Sequence, residues 1–247
     1  MPAAAAVGIY LNDAQFDAAN IYASLYPATD RLVGVYTFGN SLALSLINEV
    51  DENNPIVAVG SPTIAANYAT CSRTACFDSL KLSTLSRTFV AVARFPASGN
   101  AAWMGDYQNA MTPAGDAIGY VAAGTTIRNY VALTSTVSTV PQLAAASMSS
   151  SRFRVLIGTV DNAGLISGMT TWDDSGTLVA SLSGLASRGA VSTRTIRLGA
   201  CYDSATFTGT ADIASAMIYN GVLSTAEQAA VRAMYQARYA ATLGNTL

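Results

Sequence analysis

The chain reads as an all-β protein: an antiparallel two-sheet sandwich closed by one C-terminal α-helix. Three observations carry this. About a dozen apolar segments of strand length recur at roughly ten-residue spacing, separated by turn residues. One amphipathic stretch near the C-terminus has the helical period and a cap. No run alternates strand and helix in the way βαβ units require.

The helix is the easiest element to justify. Asp212–Tyr219 reads as a strand, with Ile213, Ser215, Met217 and Tyr219 on one face and Ala214, Ala216 and Ile218 on the other. Both faces are largely apolar, so it is expected to be covered on both sides. Asn220-Gly221 is a turn dipeptide, because both residues tolerate positive φ. Ser224-Thr225-Ala226-Glu227 then forms a capping box. The serine hydroxyl accepts from the Glu227 N–H, and the Glu227 carboxylate reaches back to the Ser224 N–H. Val231, Met234, Tyr235, Arg238 and Tyr239 follow at helical spacing, and Gly244 lies past the end of a helix read over 224–243.

Upstream, residues 1–30 fit neither period and are read as an N-terminal arm, with the sandwich occupying 31–247. A short helix around Asp13–Leu25, capped by Asn12 or Asp13, is one reading of the arm. Its aromatics Tyr10, Phe16, Tyr22 and Tyr26 suit an arm that wraps the sandwich or docks on a neighbouring subunit. The first residues are apolar but lack a basic leader and a cleavage site, which reads as a mature N-terminus rather than a signal peptide.

Leu32–Phe38 alternates, and Ser41–Val50 is a second apolar segment. A polar loop with Pro55 separates them from Ile56–Gly60. Tyr68–Cys71 and Ala75–Phe77 flank a short loop. Thr88–Phe95 is the clearest alternating strand, with Phe89, Ala91, Ala93 and Phe95 opposite Thr88, Val90, Val92 and Arg94. Trp103–Asp106 reads as its paired strand. Asp116–Val121 and Thr125–Leu133 form a hairpin, and 134–151 is a loop or weak edge strand. Arg152–Val160, Leu165–Trp172 and Leu178–Leu182 form a meander, and Arg194–Ala200 leads into the final block.

Composition excludes several functions. Half of the 247 residues are hydrophobic and 11% are charged, with a net charge of −2. That supports a large core and leaves no basic surface for nucleic acid or anionic membranes. No apolar run reaches the ~20 residues that span a bilayer. Low charge fits a subunit buried in a larger assembly, or a compositional bias of the genome. The three cysteines, Cys71, Cys76 and Cys201, leave one over whichever pair forms. A Cys71–Cys76 bridge and buried free thiols both remain open.

The absence of histidine removes the usual general base and the Ser-His-Asp and Cys-His triads. Lys81, the sole lysine, has Ser79 and Ser83 two residues away on either side, but reads as exposed. The glutamates are Glu49, Glu52 and Glu227; the last is explained by the capping box, and the others flank a loop. No catalytic residues and no structural metal are therefore assigned. Asp106, Asp116, Asp173, Asp174 and Asp203 are loop candidates for Ca²⁺, or plain solvated turn aspartates. Sugar stacking would use Trp103, Tyr107, Tyr120, Trp172 and Tyr202, with Asp173 as a polar neighbour; core or rim packing is the plainer reading of each.

Ile196-Arg197-Leu198-Gly199, then Phe207 to Ile213, then Tyr219-Asn220-Gly221-Val222-Leu223-Ser224-Thr225-Ala226-Glu227 resemble the closing blocks of the concanavalin A-like lectin/glucanase superfamily, in its laminin-G-like branch. Tyr36-Thr37-Phe38 and Val57–Thr63 add weaker likeness. The resemblance implies a jelly-roll sandwich. It is nearly silent on activity, because such domains occur in lectins, glycosidases, adhesion proteins and bacteriophage virion proteins. The family's glucanases carry a Glu-x-Asp-x-Glu strand that this chain lacks. Its laminin-G-like members often bind one Ca²⁺, so Ca²⁺ is the one cofactor the resemblance brings in. The first expectation is thus a non-enzymatic, homo-oligomeric virion structural protein, a decoration, fibre or receptor-binding subunit released by host lysis. The alternative is a lectin-like module for a bacterial surface glycan, and a glycosidase ranks third.

Overall fold

The computed structural model describes residues 26–96, 98–134, 136–138, 141–239 and 241–243. Tyr10, Phe16 and Tyr22, with the helix read at Asp13–Leu25, lie outside them. In chain order the elements are β1 (Leu32–Thr37), α1 (Leu42–Ser45), β2 (Val57–Val59), β3 (Thr63–Ile64), β4 (Ala69–Cys71), β5 (Cys76–Leu82), β6 (Arg87–Arg94) and β7 (Ala101–Gly105). Then come β8 (Ala117–Val121), β9 (Thr126–Ala132), β10 (Val137–Ser138), β11 (Gln142–Ala144), β12 (Arg154–Asp161), β13 (Ile166–Trp172), β14 (Leu178–Gly184), β15 (Thr195–Leu198), β16 (Ala211–Asn220) and α2 (Thr225–Tyr239).

Two antiparallel eight-stranded sheets face each other. One runs β14-β13-β12-β6-β16-β4-β3, and β1 also pairs with β16. The other runs β10-β9-β8-β7-β15-β5-β2, with β11 on β9. The ten-residue β16 is central. Along one side it pairs with β6; along the other it meets β4 through Ala211–Ile213 and β1 through Ser215–Tyr219. Burial on both faces explains its unbroken apolar run.

One face of β16 closes the inter-sheet core with Tyr36, Phe38, Phe77, Phe89, Trp103 and Leu156. The other packs under α2, where Val231, Tyr235 and Tyr239 meet Val90, Val92 and Val155. The expected split of β16 faces needs correction. A bulge between Ile213 and Ser215 shifts the register against β6. Ile213 therefore joins Ala216 and Ile218 in the inter-sheet core, while Ala214, Met217 and Tyr219 face the helix. The Ser215 and Tyr235 hydroxyls share a hydrogen bond of 2.8 Å.

The capping box forms as read: the Ser224 N–H donates to Glu227 Oε2 at 2.7 Å, and the Glu227 N–H to Ser224 Oγ at 3.3 Å. The helix ends at Tyr239, short of the 243 read from sequence. Both its ends are tied to the sandwich by carboxylates weighed above as catalytic acids. Glu227 pairs with Arg31. Glu49 takes Arg238 at 2.7 Å and also accepts from Tyr26 and Thr37.

Two further expectations change. Ser41–Val50 holds the short helix α1, because Ser41 caps it by accepting from the Leu44 N–H. Trp103–Asp106 does not pair with Thr88–Phe95. Instead the chain crosses over after Phe95, and β7 lies between β8 and β15 in the opposite sheet. The three cysteines are free and buried.

Candidate functional site

The strongest candidate lies where three loops meet at one end of the second sheet. Residues 106–116 follow β7, Leu133, Thr134 and Thr136 follow β9, and residues 185–194 follow β14. Between the first two is an open groove of about 300 Å³. Asn109, Met111, Thr112 and Pro113 form one wall; Leu133, Thr134, Thr136 and Val137 form the other. The lining is uncharged, with amide and hydroxyl groups beside small apolar surfaces. Its size falls at the low end of small-ligand sites.

Buried charge holds these loops. Arg87 and Asp116 are each 1% exposed and meet at 2.9 Å between the sheets. Arg188, on the third loop, grips the same carboxylate with both terminal nitrogens, at 2.9 and 2.7 Å. It also donates to the carbonyls of Leu85 and Ala132. The remaining Arg87 donors reach Gly158 O and Asn129 Oδ1, both at 3.0 Å. Asn129 Nδ2 in turn donates to the carbonyls of Thr159 and Gly168. One carboxylate and one amide thus bridge both sheets and two of the loops, and satisfied buried networks of this kind rigidify what they join.

Asp106 sits beside this pair with no solvent exposure. It accepts from the Asp116 N–H at 2.7 Å and from the Ser192 hydroxyl. Burial, then the neighbouring Asp116 charge, push its carboxyl up to about 6. Burial acts to raise Asp116 as well, but Arg87 and Arg188 outweigh it and hold that carboxyl below its ordinary value. Arg194 clamps the first loop by donating to the carbonyls of Asp106, Pro113 and Ala114. Gly115 has φ +79°, and a Cβ there would meet the Asp106 carbonyl oxygen at 2.6 Å, so the loop closes only on glycine.

The residues expected to stack on sugars are scattered. Trp103 is fully buried between the sheets, against Phe95 and Tyr120, and donates to Arg94 O. Tyr107, in the first loop, packs with Tyr130 and Phe207 on the outer side of the second sheet. Trp172 lies under Arg232, whose guanidinium is 4.9 Å from its ring. Asp173 closes its own turn, accepting from the N–H groups of Ser175 and Thr177. Tyr202 is half-buried under Arg197 at 3.9 Å, within 3.0 Å of the Thr195 hydroxyl. The Tyr202 N–H donates to the Tyr107 carbonyl and so ties Tyr202 to the first loop; Trp103, Trp172 and Asp173 lie elsewhere. Of the arm aromatics, Tyr26 is buried beneath α2 with its hydroxyl on Glu49.

Asp106 and Asp116 do come together, but as buried partners of arginines and a serine. Asp174 pairs with Arg154, and Asp203 caps its own turn. Among the described residues, no group of three or more metal-binding side chains converges. Lys81 lies 3.7 Å from Asp51, while the Ser79 hydroxyl is committed to Ile196 O, so the two share no dry pocket. The groove itself was not foreseen. Its one sequence trace is the Asn, Met, Thr and Pro-containing 109–114 stretch, an ordinary loop composition.

No protein-family profile matches the chain, and no curated protein matches it in sequence. Solved structures do match in fold. The binding domain of botulinum neurotoxin serotype D overlaps at TM-score 0.59 with 11% identity, covering 89% of this chain and 53% of that one. The botulinum neurotoxin type G receptor-binding domain gives 0.58 and 11%, covering 83% and 51%. The chain thus spans about half the length of these toxin domains. The Ruminococcus gnavus IT-sialidase CBM40 bound to α2,3-sialyllactose overlaps more loosely, at 0.47 and 15%, over 61% of this chain and 83% of that one. At such identities the likeness is one of architecture: a two-sheet β-sandwich.

Proposed function

We propose that this chain is a non-catalytic, lectin-like recognition module that seats an uncharged saccharide in the groove between 109–114 and the wall of Leu133, Thr134, Thr136 and Val137. The observation that carries the reading is the groove itself: uncharged, open and about 300 Å³, with one wall fixed by a buried ionic network. Amide and hydroxyl groups suit sugar hydroxyls, and Met111, Pro113 and Val137 suit the apolar face of a pyranose. The carboxylates at the two ends of the first loop, Asp106 and Asp116, are buried and held by arginines and a serine, whereas glycoside hydrolysis needs two carboxyl groups flanking the bond. The sandwich shared with the toxin binding domains is compatible with recognition and says nothing of the ligand.

Glycan-array screening followed by titration calorimetry tests this. Asn109→Ala and Thr134→Ala are expected to weaken the best ligand about tenfold each, or about 1.4 kcal/mol, with binding unchanged by chelator. Absence of any glycan ligand, or full affinity in both variants, refutes it.

A second reading keeps the chain as a virion structural subunit acting through protein contacts, released by host lysis. It is favoured by exposed apolar side chains on strands, Leu182 at 73% foremost. Co-sedimentation with phage particles tests that reading.

A further inference from the structure

The free edge of the first sheet carries an inference beyond ligand recognition. Strand β14 ends that sheet and, among the described residues, pairs with β13 alone. The pairing is regular over all seven positions, from Ile166↔Gly184 to Trp172↔Leu178, with no bulge. The sequence LVASLSG holds no charge and no proline. Solvent-facing edge strands are normally blunted by lysine, proline or a bulge, because an open row of N–H and C=O groups templates further pairing. None of these devices is present in β14.

Side chains on this edge match their own image. Leu178, Ala180, Leu182 and Gly184 share the exposed face of the strand. Leu182 is 73% exposed, Leu178 47%, and Ile166, beside Gly184 on β13, 43%. Placing a second copy alongside, related by an axis normal to the sheet and midway between the two Ser181 residues, gives an antiparallel pair. Ala180 of each copy then lies opposite Leu182 of the other, and Leu178 opposite Gly184. Nothing lies within 4 Å of the position a Cβ would take at Gly184. That open space, beside Leu182 on the same strand and Ile166 across the pair, receives the Leu178 side chain of the other copy. On the exposed face apolar positions meet apolar positions, on the other face Ser181 meets its own copy and Val179 meets Ser183, and the uncharged strand does not repel its copy, whereas a charged partner strand would find no counter-charge on it.

We infer that β14 is a self-pairing edge through which two copies of this chain join their first sheets into one continuous sheet. The closed two-fold accounts for the missing edge protection, since each copy covers the other's open strand.

Sedimentation of the full chain over a dilution series tests this. The expected species has twice the 25.5 kDa chain mass. Leu182→Lys is expected to return it to single-chain mass with an unchanged circular dichroism spectrum, because the position is exposed and the substitution replaces the apolar contact with Ala180 of the other copy by a charge, the two lysines lying diagonally across the axis. Ala180→Lys serves as the second variant and is expected to act alike. A wild-type chain that stays at single-chain mass throughout overturns the inference, and so does a two-chain species that survives in both folded variants.

Discussion

Replacing Asp106 with asparagine should stabilise this protein at neutral pH. The Asp106 carboxyl has no solvent exposure, and burial and Asp116 raise it from 3.8 to about 6. Its protonated form is therefore favoured by folding. Ionising it in the folded state costs about 3 kcal/mol at most, by the energy that corresponds to such a displacement. The folded chain binds more protons than the unfolded chain between those two values, so stability rises as pH falls through about 6. Linkage puts the gain at about 1.4 kcal/mol between about pH 7.5 and pH 5. Asp116 works in the opposite sense: its lowered carboxyl contributes stability above 3.8 that is lost only in stronger acid. Glu49 and Glu227 are likewise held below 4.5, so the window from about pH 5 to about 7.5 isolates Asp106.

An asparagine side chain at this position would keep an acceptor for the Asp116 N–H and present its amide to the Ser192 oxygen. Urea unfolding followed by tryptophan fluorescence, at intervals across that window, is the assay. The wild-type chain should gain stability toward pH 5. Asp106→Asn should be flatter and, at pH 7.5, about 1 to 3 kcal/mol more stable. A variant less stable than wild type at pH 7.5, or a wild-type curve that falls toward pH 5 in parallel with the variant, refutes the assignment of Asp106 as the strained member of the pair.

Two further outcomes follow from the packing. Ser224→Ala removes the hydroxyl that caps α2 and should cost about 1 kcal/mol in the same unfolding assay. Trp103→Ala should cost about 3 to 5 kcal/mol, because the ring is fully enclosed between the sheets; wild-type-like stability would place that ring at the surface after all.

Much of the fold was legible because strands and caps are written locally. The alternation of Phe89, Ala91, Ala93 and Phe95 against Val90 and Val92 marked a strand, and that is where β6 lies; the apolar faces of Asp212–Tyr219 marked one covered on both sides, and β16 is so covered. Ser224 and Glu227 wrote the helix start in four residues. The bulge at Ala214 was not legible, since one extra residue in an apolar run leaves no polar mark. Nor was the sheet that β7 joins: alternation tells how a strand is buried, not which partner it takes.

The site was harder to read for the same reason. Asp106 and Asp116 stood out in the chain only as loop aspartates. Their role depends on Arg87 and Arg188, which lie far away in sequence and adjacent in space. Trp103 drew notice as an aromatic near a turn, yet the crossover after Phe95 buries it. By itself the sequence determined a β-rich chain with a capped terminal helix, because hydrogen-bonded turns and side-chain period are short-range properties. Tertiary structure alone decided which loops meet to form the groove, which carboxylates are sealed by arginines, and which strand is left open at the edge, because each of these is a contact between residues that the chain order keeps apart.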